Sequence, residues 1–310
     1  MRDLRDSSDV LQDTSELRDR LAEDGYLFLP GVLDAAEVTA VQAELRTALH
    51  AIGWLADPGK LAVADRGLGF TTESFRTVYP AVLRLESVHR LAFTPVLWAL
   101  VRRLLGGEIF CHPARVVRLA VPSADPGRYA TRAHQDYVVQ HVTTDAVTAW
   151  IPFTACDPDK QGLRLIPGSQ RRGFLPTDPS LGGRRPLYLP VPPDDPAWAT
   201  ADFAPGDLVL FHSLTVHGGG PNTGDELRMS ADVRYQLLDE PLRAEFAHPH
   251  GWPVTPDWDD LAAGWTTDEW YRLDERVRLV PMPEGVDYGA YLAGLTPPPS
   301  RLLAHARETG

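Results

Sequence analysis

The sequence has little cysteine, little positive charge and no long apolar run. Cys111 and Cys156, the two cysteines among 310 residues, are far apart and form no CxxC pair. Neither a disulfide framework nor a structural zinc cluster is therefore indicated. No stretch approaches the roughly 18 apolar residues that a membrane-spanning helix needs. The N-terminus is acidic and polar, whereas a secretory signal is basic and then apolar, so we expect a soluble, cytoplasmic protein.

The balance of charge argues against nucleic acid as a partner. The chain has 30 Lys and Arg against 42 Asp and Glu, a formal net charge of −12. Such a chain repels a phosphate backbone unless it carries a local basic face. We expect a small-molecule substrate, with neither nucleic acid nor membrane as partner. The sequence does not determine the oligomeric state.

Helical periodicity dominates the first hundred residues. Apolar residues recur at spacings of three and four over 15–23 and 35–50, which predicts two amphipathic helices. Between them, residues 25–31 read GYLFLPG and predict a short strand. A third helix is predicted over about 94–105, apolar nearly all round and therefore buried.

From Glu108 onward, short apolar runs alternate with turns rich in Gly, Pro and Asp. This pattern is typical of a sandwich, a barrel or a jelly roll. The predicted strands cover residues 114–121, 146–153, 163–167, 207–212 and 227–236.

No repeat or linker divides the chain, so we predict one domain over 1–310. Residues 1–107 would form a helical support, 108–236 a mainly β core, and 237–310 a C-terminal extension rich in Trp and Tyr. Residues 171–205 are rich in Pro and Gly and show little periodicity. A loop of that length inside a compact domain is usually functional, and we predict that it is a lid.

A histidine and an aspartate two residues apart form the first candidate metal-binding pair. In RAHQDYVVQ, the side chains of His134 and Asp136 point the same way if the segment is a β-strand, so both can reach one metal ion. Alone the pair is a weak signal, because surface pairs of this kind are common.

A third candidate ligand precedes three glycines, which permit close approach of the backbone to a ligand or a metal. In PGDLVLFHSLTVHGGGPN this residue is His217, and with the first pair it would complete a triad of two histidines and one carboxylate. Such a triad leaves three positions on iron(II) free. Other histidines compete, one expected to be a core residue of the apolar strand and two in an HPH sequence. They are His212, His248 and His250.

Two arginines on a later strand are candidates for holding a carboxylate. In LRMSADVRYQ, alternation places four polar residues on one face. A guanidinium can hold a carboxylate through two parallel hydrogen bonds, which suits a dicarboxylic acid. Periodicity alone does not choose between the arginines, and a salt bridge to the aspartate would explain either of them. The four residues are Arg228, Ser230, Asp232 and Arg234.

Five blocks in this order resemble the phytanoyl-CoA dioxygenase family of iron(II)- and 2-oxoglutarate-dependent oxygenases. The resemblance extends from the N-terminus to about Gln236. The blocks are GYLFLPGVLD (25–34), HQD (134–136), DAVTAWIPF (145–153), GLRLIPGSQRRG (162–173) and GDLVLFHSLTVHGGGPN (206–222).

The resemblance implies a double-stranded β-helix, a cupin-like jelly roll with flanking helices. It implies that His134, Asp136 and His217 hold Fe(II), with 2-oxoglutarate and O2 as cosubstrates. The family's carboxylate-binding arginine lies eleven residues after the second metal histidine, and this spacing selects Arg228. Related halogenases lack the carboxylate ligand, so Asp136 favours oxygenation over halogenation.

Further cosubstrate contacts carry over less directly. Trp150 resembles the family's aromatic residue beside the cosubstrate, although core packing would equally explain it. Relatives often have a serine two residues after the second metal histidine, where this chain has Gly219. Ser230 is a candidate for the missing hydroxyl. Arg118 lies near a basic position that contacts the cosubstrate in relatives.

The reaction expected from the resemblance is hydroxylation of an unactivated carbon of a natural-product intermediate or an amino-acid-like substrate, with release of succinate and carbon dioxide. The same chemistry can be diverted to desaturation, epimerisation or cyclisation. Two alternatives of other classes are a non-catalytic cupin-like binding protein and a zinc hydrolase. The hydrolase lacks a positioned Glu base and would leave Arg228 without a role.

Substrate-binding residues are the least defined part of the site. If the HQD strand continues, Val138 and Gln140 face the metal side, and Gln140 could hydrogen-bond a substrate. The pairs Arg171-Arg172 and Arg184-Arg185 in the predicted lid could meet an anionic group, although such arginines are more often simply solvated.

Overall fold

The fold combines short β-strands with helices that gather towards the two ends of the chain. The computed structural model describes residues 2–64, 72–125, 130–182, 186–251 and 254–308. The strands are β1 (Arg2–Asp3), β2 (Tyr26–Leu29), β3 (Ile109–Cys111), β4 (Val116–Ala120), β5 (Val147–Pro152), β6 (Leu163–Leu165), β7 (Ala199–Thr200), β8 (Leu208–His212), β9 (His217–Gly219), β10 (Arg228–Leu237), β11 (Leu242–Arg243) and β12 (Leu279–Val280). The α-helices are α1 (Thr14–Asp24), α2 (Ala35–Ala51), α3 (Thr72–Leu83), α4 (Glu86–Arg90), α5 (Pro95–Leu105), α6 (Tyr137–Gln140), α7 (Trp258–Leu261), α8 (Tyr288–Ala293) and α9 (Arg301–Glu308).

Two sheets form the jelly roll. The larger has the strand order β2-β8-β5-β10-β3, and β4 also pairs with β10; the smaller has the order β1-β7-β6-β9. Strand β10 organises the larger sheet, because it pairs with β5 on one side and with β4 and then β3 on the other. All of these pairings are antiparallel. All ten residues of β10 are buried, in agreement with a strand that has neighbours on both sides.

Alternation along β8 shows how the larger sheet separates two apolar layers. Leu208 and Leu210 belong to the main core, which also contains the buried faces of α1, α2 and α5. Val209 and Phe211 belong to a second cluster with Leu163 of the smaller sheet. The helices therefore cover one face of the larger sheet, and the smaller sheet covers the other.

Local sequence explains where the first helix begins and ends. The Asp13 carboxylate accepts hydrogen bonds from the backbone N–H groups of Ser15 and Glu16, as a helix N-cap does. Gly25 ends α1 with a φ of 83°, a conformation that glycine adopts without steric cost. A Cβ at Gly25 would lie 2.3 Å from Oε1 of Gln170, so the space there also requires glycine.

The predicted helices at 15–23, 35–50 and 94–105 and the five predicted core strands are confirmed, with ends shifted by a few residues. The prediction that the third helix is buried all round was wrong. Leu97, Leu100 and Leu104 of α5 are buried, whereas Val96 is 50% exposed. One stripe of α5 packs on the core and its other face meets solvent, as in an amphipathic helix.

The C-terminal extension packs against the same core as the N-terminal helices. Trp258 and Leu261 of α7 and Leu302 of α9 belong to the main apolar cluster, and Tyr271 packs against it. These aromatics therefore pack on the core, while Trp252 lies outside the described residues. The one-domain organisation stays a prediction. Within the described part of the chain, no helix is long and apolar enough to cross a membrane.

Candidate metal centre

Two candidate ligands are brought together by pairing of the chain before HQD with β9. The N–H of His134 donates to the carbonyl of His217 and the N–H of His217 to the carbonyl of His134, both at 2.9 Å. Gly219 extends the pairing by donating its N–H to the carbonyl of Thr131 at 3.0 Å. The two imidazole centroids are consequently 4.1 Å apart.

Asp136 completes the cluster from the start of α6. One ligand atom from each of His134, Asp136 and His217 lies within 4.8 Å of the others. Oδ1 of Asp136 is 3.8 Å from Nε2 of His217, a separation that one metal ion between them would explain. Asp136 is 1% exposed and His217 3% exposed, so these two ligands are shielded from solvent, whereas His134 is half-buried.

Backbone carbonyls fix the tautomers of both histidines. Nδ1 of His134 lies 2.9 Å from the carbonyl oxygen of Arg132, and Nδ1 of His217 lies 3.0 Å from that of Thr215. A carbonyl oxygen only accepts, so each Nδ1 must carry the proton and donate it. Each Nε2 therefore keeps its lone pair, which is the form that ligates a metal.

Burial and charge favour the ligating protonation states. Burial lowers the pKa of His134 to about 3, and His217 adds to the effect. The pKa of His217 is also lowered by burial. Burial alone would raise the pKa of Asp136, but Arg234 and the two histidines hold it well below its usual range. Near pH 7 the cluster thus offers two neutral imidazoles and one carboxylate.

A cavity beside the cluster contains an unpaired cation. His134, His217 and Arg228 line it, together with Trp150 and Leu163. Arg228 is 4% exposed; its Nη1 donates to the carbonyl of Gly220 at 3.1 Å, and its Nε has no hydrogen-bond partner. Burial lowers its pKa to about 10, which still leaves it charged near pH 7. A buried cation with an unused donor fits an anionic ligand such as a carboxylate.

Arg118 and Arg234, two other arginines near the cluster, have acidic partners. Arg118 donates through Nε to Oδ2 of Asp232 at 2.7 Å, and its Nη2 lies 2.6 Å from the same oxygen. Arg234 donates to both oxygens of Asp136. Among the ion pairs of the described residues, none involves Arg228. The structure thus distinguishes Arg228 from Arg234 by their partners, a choice that strand alternation alone left open.

Of three further residues predicted to contact the cosubstrate, two line the cavity and one does not. Trp150 lines the cavity and also packs against Phe203, with ring centroids 4.7 Å apart, so cavity lining and core packing both apply. Arg118 lines the cavity while paired with Asp232. Ser230 is 1% exposed on the same face of β10, but it is absent from the described residues that line the cavity.

Sequence reasoning missed Thr131. Its Oγ1 accepts a hydrogen bond from Nη1 of Arg118 at 3.2 Å, and the residue lines the cavity. A Cβ at Gly219 would lie 3.3 Å from this hydroxyl oxygen. Thr131 therefore presents a hydroxyl next to the position where relatives carry serine. Only the pairing with β9 reveals this, because no sequence motif marks the residue.

The rival histidines lie outside the cluster. Nδ1 of His212 accepts from the N–H of Leu214 at 3.1 Å, and its Nε2 is 3.1 Å from Oγ of Ser300, so both nitrogens are used within a fully buried environment. Nδ1 of His250 is 2.8 Å from the hydroxyl of Tyr79. His248 lies 3.8 Å from a carboxylate oxygen of Asp257.

The predicted extension of the HQD strand was wrong. Asp136 leads directly into α6, so Val138 and Gln140 do not alternate along a strand. Both are buried, and the amide N and O of Gln140 have no hydrogen-bond partner. Arg171 and Arg172 are exposed in a 3-10 turn. Arg184 and Arg185 of the second pair lie outside the described residues.

The predicted lid loop is tied to the segment that carries the ligands. Gln135 donates from Nε2 to the carbonyl of Gly173 at 2.9 Å and accepts at Oε1 from the N–H of Leu175 at 2.8 Å. The N–H of Leu189 donates to the carbonyl of Ala133 at 2.8 Å. The ring of Tyr188 stands edge-on to His134, with centroids 6.5 Å apart. The loop thus reaches the metal side of the fold.

An antiparallel jelly roll that holds two histidines and one carboxylate beside a cationic cavity defines a class, the mononuclear non-haem metal oxygenases. Comparison with known proteins agrees with this assignment. Residues 21–230 match the family model described as phytanoyl-CoA dioxygenase (PhyH). The chain therefore belongs to the phytanoyl-CoA dioxygenase family.

Its relatives include characterised oxygenases. The 1-deoxypentalenic acid 11-beta-hydroxylase of Streptomyces arenae is 28% identical over 250 residues, 76% of this chain and 85% of the relative. The ectoine dioxygenase of Stutzerimonas stutzeri is 25% identical, covering 75% and 80%. The epimerase SnoN, solved with Fe3+, alpha ketoglutarate and nogalamycin RO, has a TM-score of 0.54 at 26% identity, covering 74% of this chain and 86% of SnoN. The predictions of family, jelly-roll fold, oxidoreductase class and iron with 2-oxoglutarate are confirmed by these relatives.

Proposed function

We propose that this chain is an iron(II)- and 2-oxoglutarate-dependent dioxygenase that hydroxylates a carbon–hydrogen bond of a small molecule. The observation that carries the proposal is the orientation of the ligand set. His134 and His217 are fixed with Nε2 available, and Oδ1 of Asp136 lies 3.8 Å from Nε2 of His217. When bound, iron with 2-oxoglutarate and O2 supplies an oxidant, coupling decarboxylation of the cosubstrate to succinate with oxidation of the substrate.

The protein's own contribution is to hold the cosubstrate and exclude water. Arg228 would pair with the distal carboxylate of 2-oxoglutarate, because its buried Nε is unpartnered and it has no acidic partner among the described residues. Trp150, Leu163 and Phe211 supply the apolar wall of the same cavity. A cation in an apolar wall suits a small dicarboxylate whose other end ligates a metal.

A zinc hydrolase and a non-catalytic binding protein explain fewer of these residues. Hydrolysis needs a general base beside the metal, and Asp232, a carboxylate that lines the cavity, is paired with Arg118. A binding protein would have no need for a buried Arg228 that lacks an acidic partner among the described residues beside two oriented histidines. Epimerisation is the second candidate outcome, because SnoN, at 26% identity, is an epimerase.

The proposed substrate is a small natural product or an amino-acid-like molecule. Relatives named for 1-deoxypentalenic acid and for ectoine cover three quarters of the chain, which supports this range. Gln140, Val138, Arg171 and Arg172 stay predictions as substrate residues, and so does the cytoplasmic location. Tyr188 is a further candidate, since its ring stands beside His134.

A succinate-release screen tests the proposed function. The iron-loaded protein is incubated with 2-oxoglutarate, O2 and a panel of terpenoid acids, cyclic amino acids and polyketides, and succinate is measured with product mass. We expect substrate-dependent succinate with a mass gain of one oxygen for hydroxylation, or no mass change for epimerisation. The matched control is Asp136→Ala, which should abolish both signals. Iron-loaded protein that never binds 2-oxoglutarate would contradict the proposal.

A further inference from the structure

The carboxylate of Asp136 is held by three hydrogen-bond donors from the larger sheet. Arg234 donates from Nε to Oδ2 at 3.0 Å and from Nη2 to Oδ1 at 2.8 Å. Thr148 donates from Oγ1 to Oδ2 at 2.6 Å. The fork of the guanidinium and the plane of the carboxylate fix each other, because two parallel hydrogen bonds leave little rotational freedom.

Sheet register is what brings these donors to one point. Arg234 of β10 and Thr148 of β5 are directly opposite each other across the antiparallel pair. Side chains of such partners project from the same face of the sheet. Arg234 is 5% exposed and Thr148 is fully buried, so the contacts are shielded from water. The carboxylate of Asp136 is thus held by hydrogen bonds from two paired strands of the sheet.

The donors use the two carboxylate oxygens unequally. A carboxylate offers about four lone-pair sites, two on each oxygen. Oδ2 receives Nε of Arg234 and Oγ1 of Thr148, so both of its sites are used. Among the described residues, Oδ1 receives a hydrogen bond only from Nη2 of Arg234, and it is the oxygen that lies 3.8 Å from Nε2 of His217. One lone pair on Oδ1 is left for a metal ion.

We propose that Arg234 and Thr148 are positioning residues that restrict Asp136 to ligating the metal through Oδ1 alone. The inference rests on the proposed function, since it concerns the same metal. A carboxylate that bound through both oxygens would occupy one more coordination position. Single-oxygen ligation by Asp136 keeps that position free for the cosubstrate and O2, which together need three.

Arg228 provides a matched control on the same strand. It is six residues before Arg234, on the same face of β10, and equally buried at 4% against 5% exposure. It makes no contact with Asp136 among the described residues. Loss of a buried arginine from β10 would therefore have the same general effect at either position. A change in how Asp136 ligates the metal would occur only when Arg234 is replaced.

Difference infrared spectroscopy with Co2+ as the probe tests the proposal without turnover. The splitting between the two carboxylate stretches is larger for one-oxygen than for two-oxygen ligation, and 13C-labelled aspartate identifies the ligand band. The spectra compare wild type, Arg234→Met/Thr148→Val, Thr148→Val, Thr148→Ser and Arg228→Met, each loaded with Co2+ in the absence of 2-oxoglutarate. Metal affinity alone does not decide, because losing the arginine charge favours the cation while losing fixed geometry disfavours it.

We expect one-oxygen ligation in wild type, Arg228→Met and Thr148→Ser, and a shift to two-oxygen ligation in the double variant. Thr148→Val should shift partway, since it frees one site on Oδ2. Two-oxygen ligation in wild type overturns the inference even if no variant folds. An unchanged splitting in a folded double variant also overturns it, while leaving the metal site intact. Failure of wild type to bind Co2+ stoichiometrically would instead overturn the proposed function.

Discussion

At the residue scale, the site depends on which buried charges have partners. Arg118 and Arg234 pair with Asp232 and Asp136, whereas Arg228 keeps an unpartnered Nε in the cavity. Desolvating a cation is costly unless an anion compensates for it. Among these three arginines, Arg228 alone lacks an acidic partner within the described residues, which supports the proposal that it anchors the cosubstrate.

Replacing Arg228 should weaken 2-oxoglutarate binding selectively. Arg228→Met removes a desolvated charge pair, whose truncation costs on the order of 2–5 kcal/mol. The dissociation constant for 2-oxoglutarate should therefore rise by about 30-fold or more. Equilibrium titration of the metal-loaded variant measures this rise, and Co2+ affinity serves as the control because Arg228 does not touch the ligands. Unchanged 2-oxoglutarate affinity would show that another cation anchors it.

Thr131 should supply the hydroxyl that Gly219 cannot. Thr131→Val removes a hydrogen bond to a charged ligand, which is worth about 1.5 kcal/mol, or roughly a tenfold loss of 2-oxoglutarate affinity. Thr131→Ser keeps the hydroxyl and should keep the affinity. Ser230→Ala tests the sequence-based alternative and should have little effect. A loss in Ser230→Ala alone would return the role to Ser230.

The sequence and its family resemblance were sufficient to identify His134, Asp136, His217 and Arg228 as candidates. They did not reveal the partners of those residues. Thr131 and Arg234 are placed at the site by contacts between segments that are distant in sequence, and strand alternation treats Arg228 and Arg234 alike. The family spacing selects Arg228, but the different partners of the two arginines follow from register and pairing, and both are tertiary properties.

At the element scale, α6 shows where local pattern misleads. Tyr137, Val138 and Val139 are residues that favour strands, so the pattern predicts a strand after HQD. In the structure the chain turns into α6 instead, where the N–H of Tyr137 donates to the carbonyl of Ser213. Tertiary contacts outweigh propensity there, as they often do for segments of about four residues.

The C-terminal helix α9 is anchored on a buried carboxylate. Oδ1 of Asp145 accepts from Oγ of Ser300 at 2.5 Å, and Oδ2 accepts from the N–H of Arg301 at 2.8 Å. The imidazole of His212 reaches the same serine from β8, with 3.1 Å between Nε2 and Oγ. Burial raises the pKa of Asp145, but its interactions with His212, Ser300 and Arg301 lower the pKa below its usual value. The start of α9 is thus joined to the core sheet.

Breaking this anchor should destabilise the fold without altering the metal centre. Asp145→Ala leaves two donors without their acceptor and should lower the free energy of unfolding by on the order of 3 kcal/mol. Ser300→Ala should cost about 1 kcal/mol, as the loss of a helix N-cap does. Asp239→Ala is the control, because its ion pair with Arg301 is exposed and contributes at most ~1 kcal/mol. Urea unfolding measures all three; equal midpoints would contradict the anchor.

At the scale of the whole molecule, the jelly roll and the helices share one core. Residues of α1, α2, α5, α7 and α9 meet the outer face of the larger sheet in a single apolar cluster. The jelly-roll fold could be predicted from the strand pattern and the resemblance. Core packing of the C-terminal aromatics was also expected, but their packing partners could not be predicted, because their irregular spacing has no period that would assign them to a face.

A chain truncated after Glu240 should fail to fold. It would lose Trp258, Leu261 and Leu302 from the main core, each 6% exposed or less. Each large apolar side chain contributes about 1.5–3 kcal/mol on burial, and total stability is on the order of 5–15 kcal/mol. Circular dichroism and thermal unfolding measure the outcome. A cooperative transition in the truncated chain would contradict the one-domain organisation.

The most direct test of the account is an anaerobic titration of the Fe(II)-loaded protein with 2-oxoglutarate, followed by visible absorption. A cosubstrate that chelates iron through its 2-oxo and carboxylate oxygens gives a weak charge-transfer band. We predict that the band appears and saturates at one equivalent per chain, is absent in His217→Ala, and requires a higher 2-oxoglutarate concentration in Arg228→Met. Stoichiometric iron binding with no band at any 2-oxoglutarate concentration would contradict it.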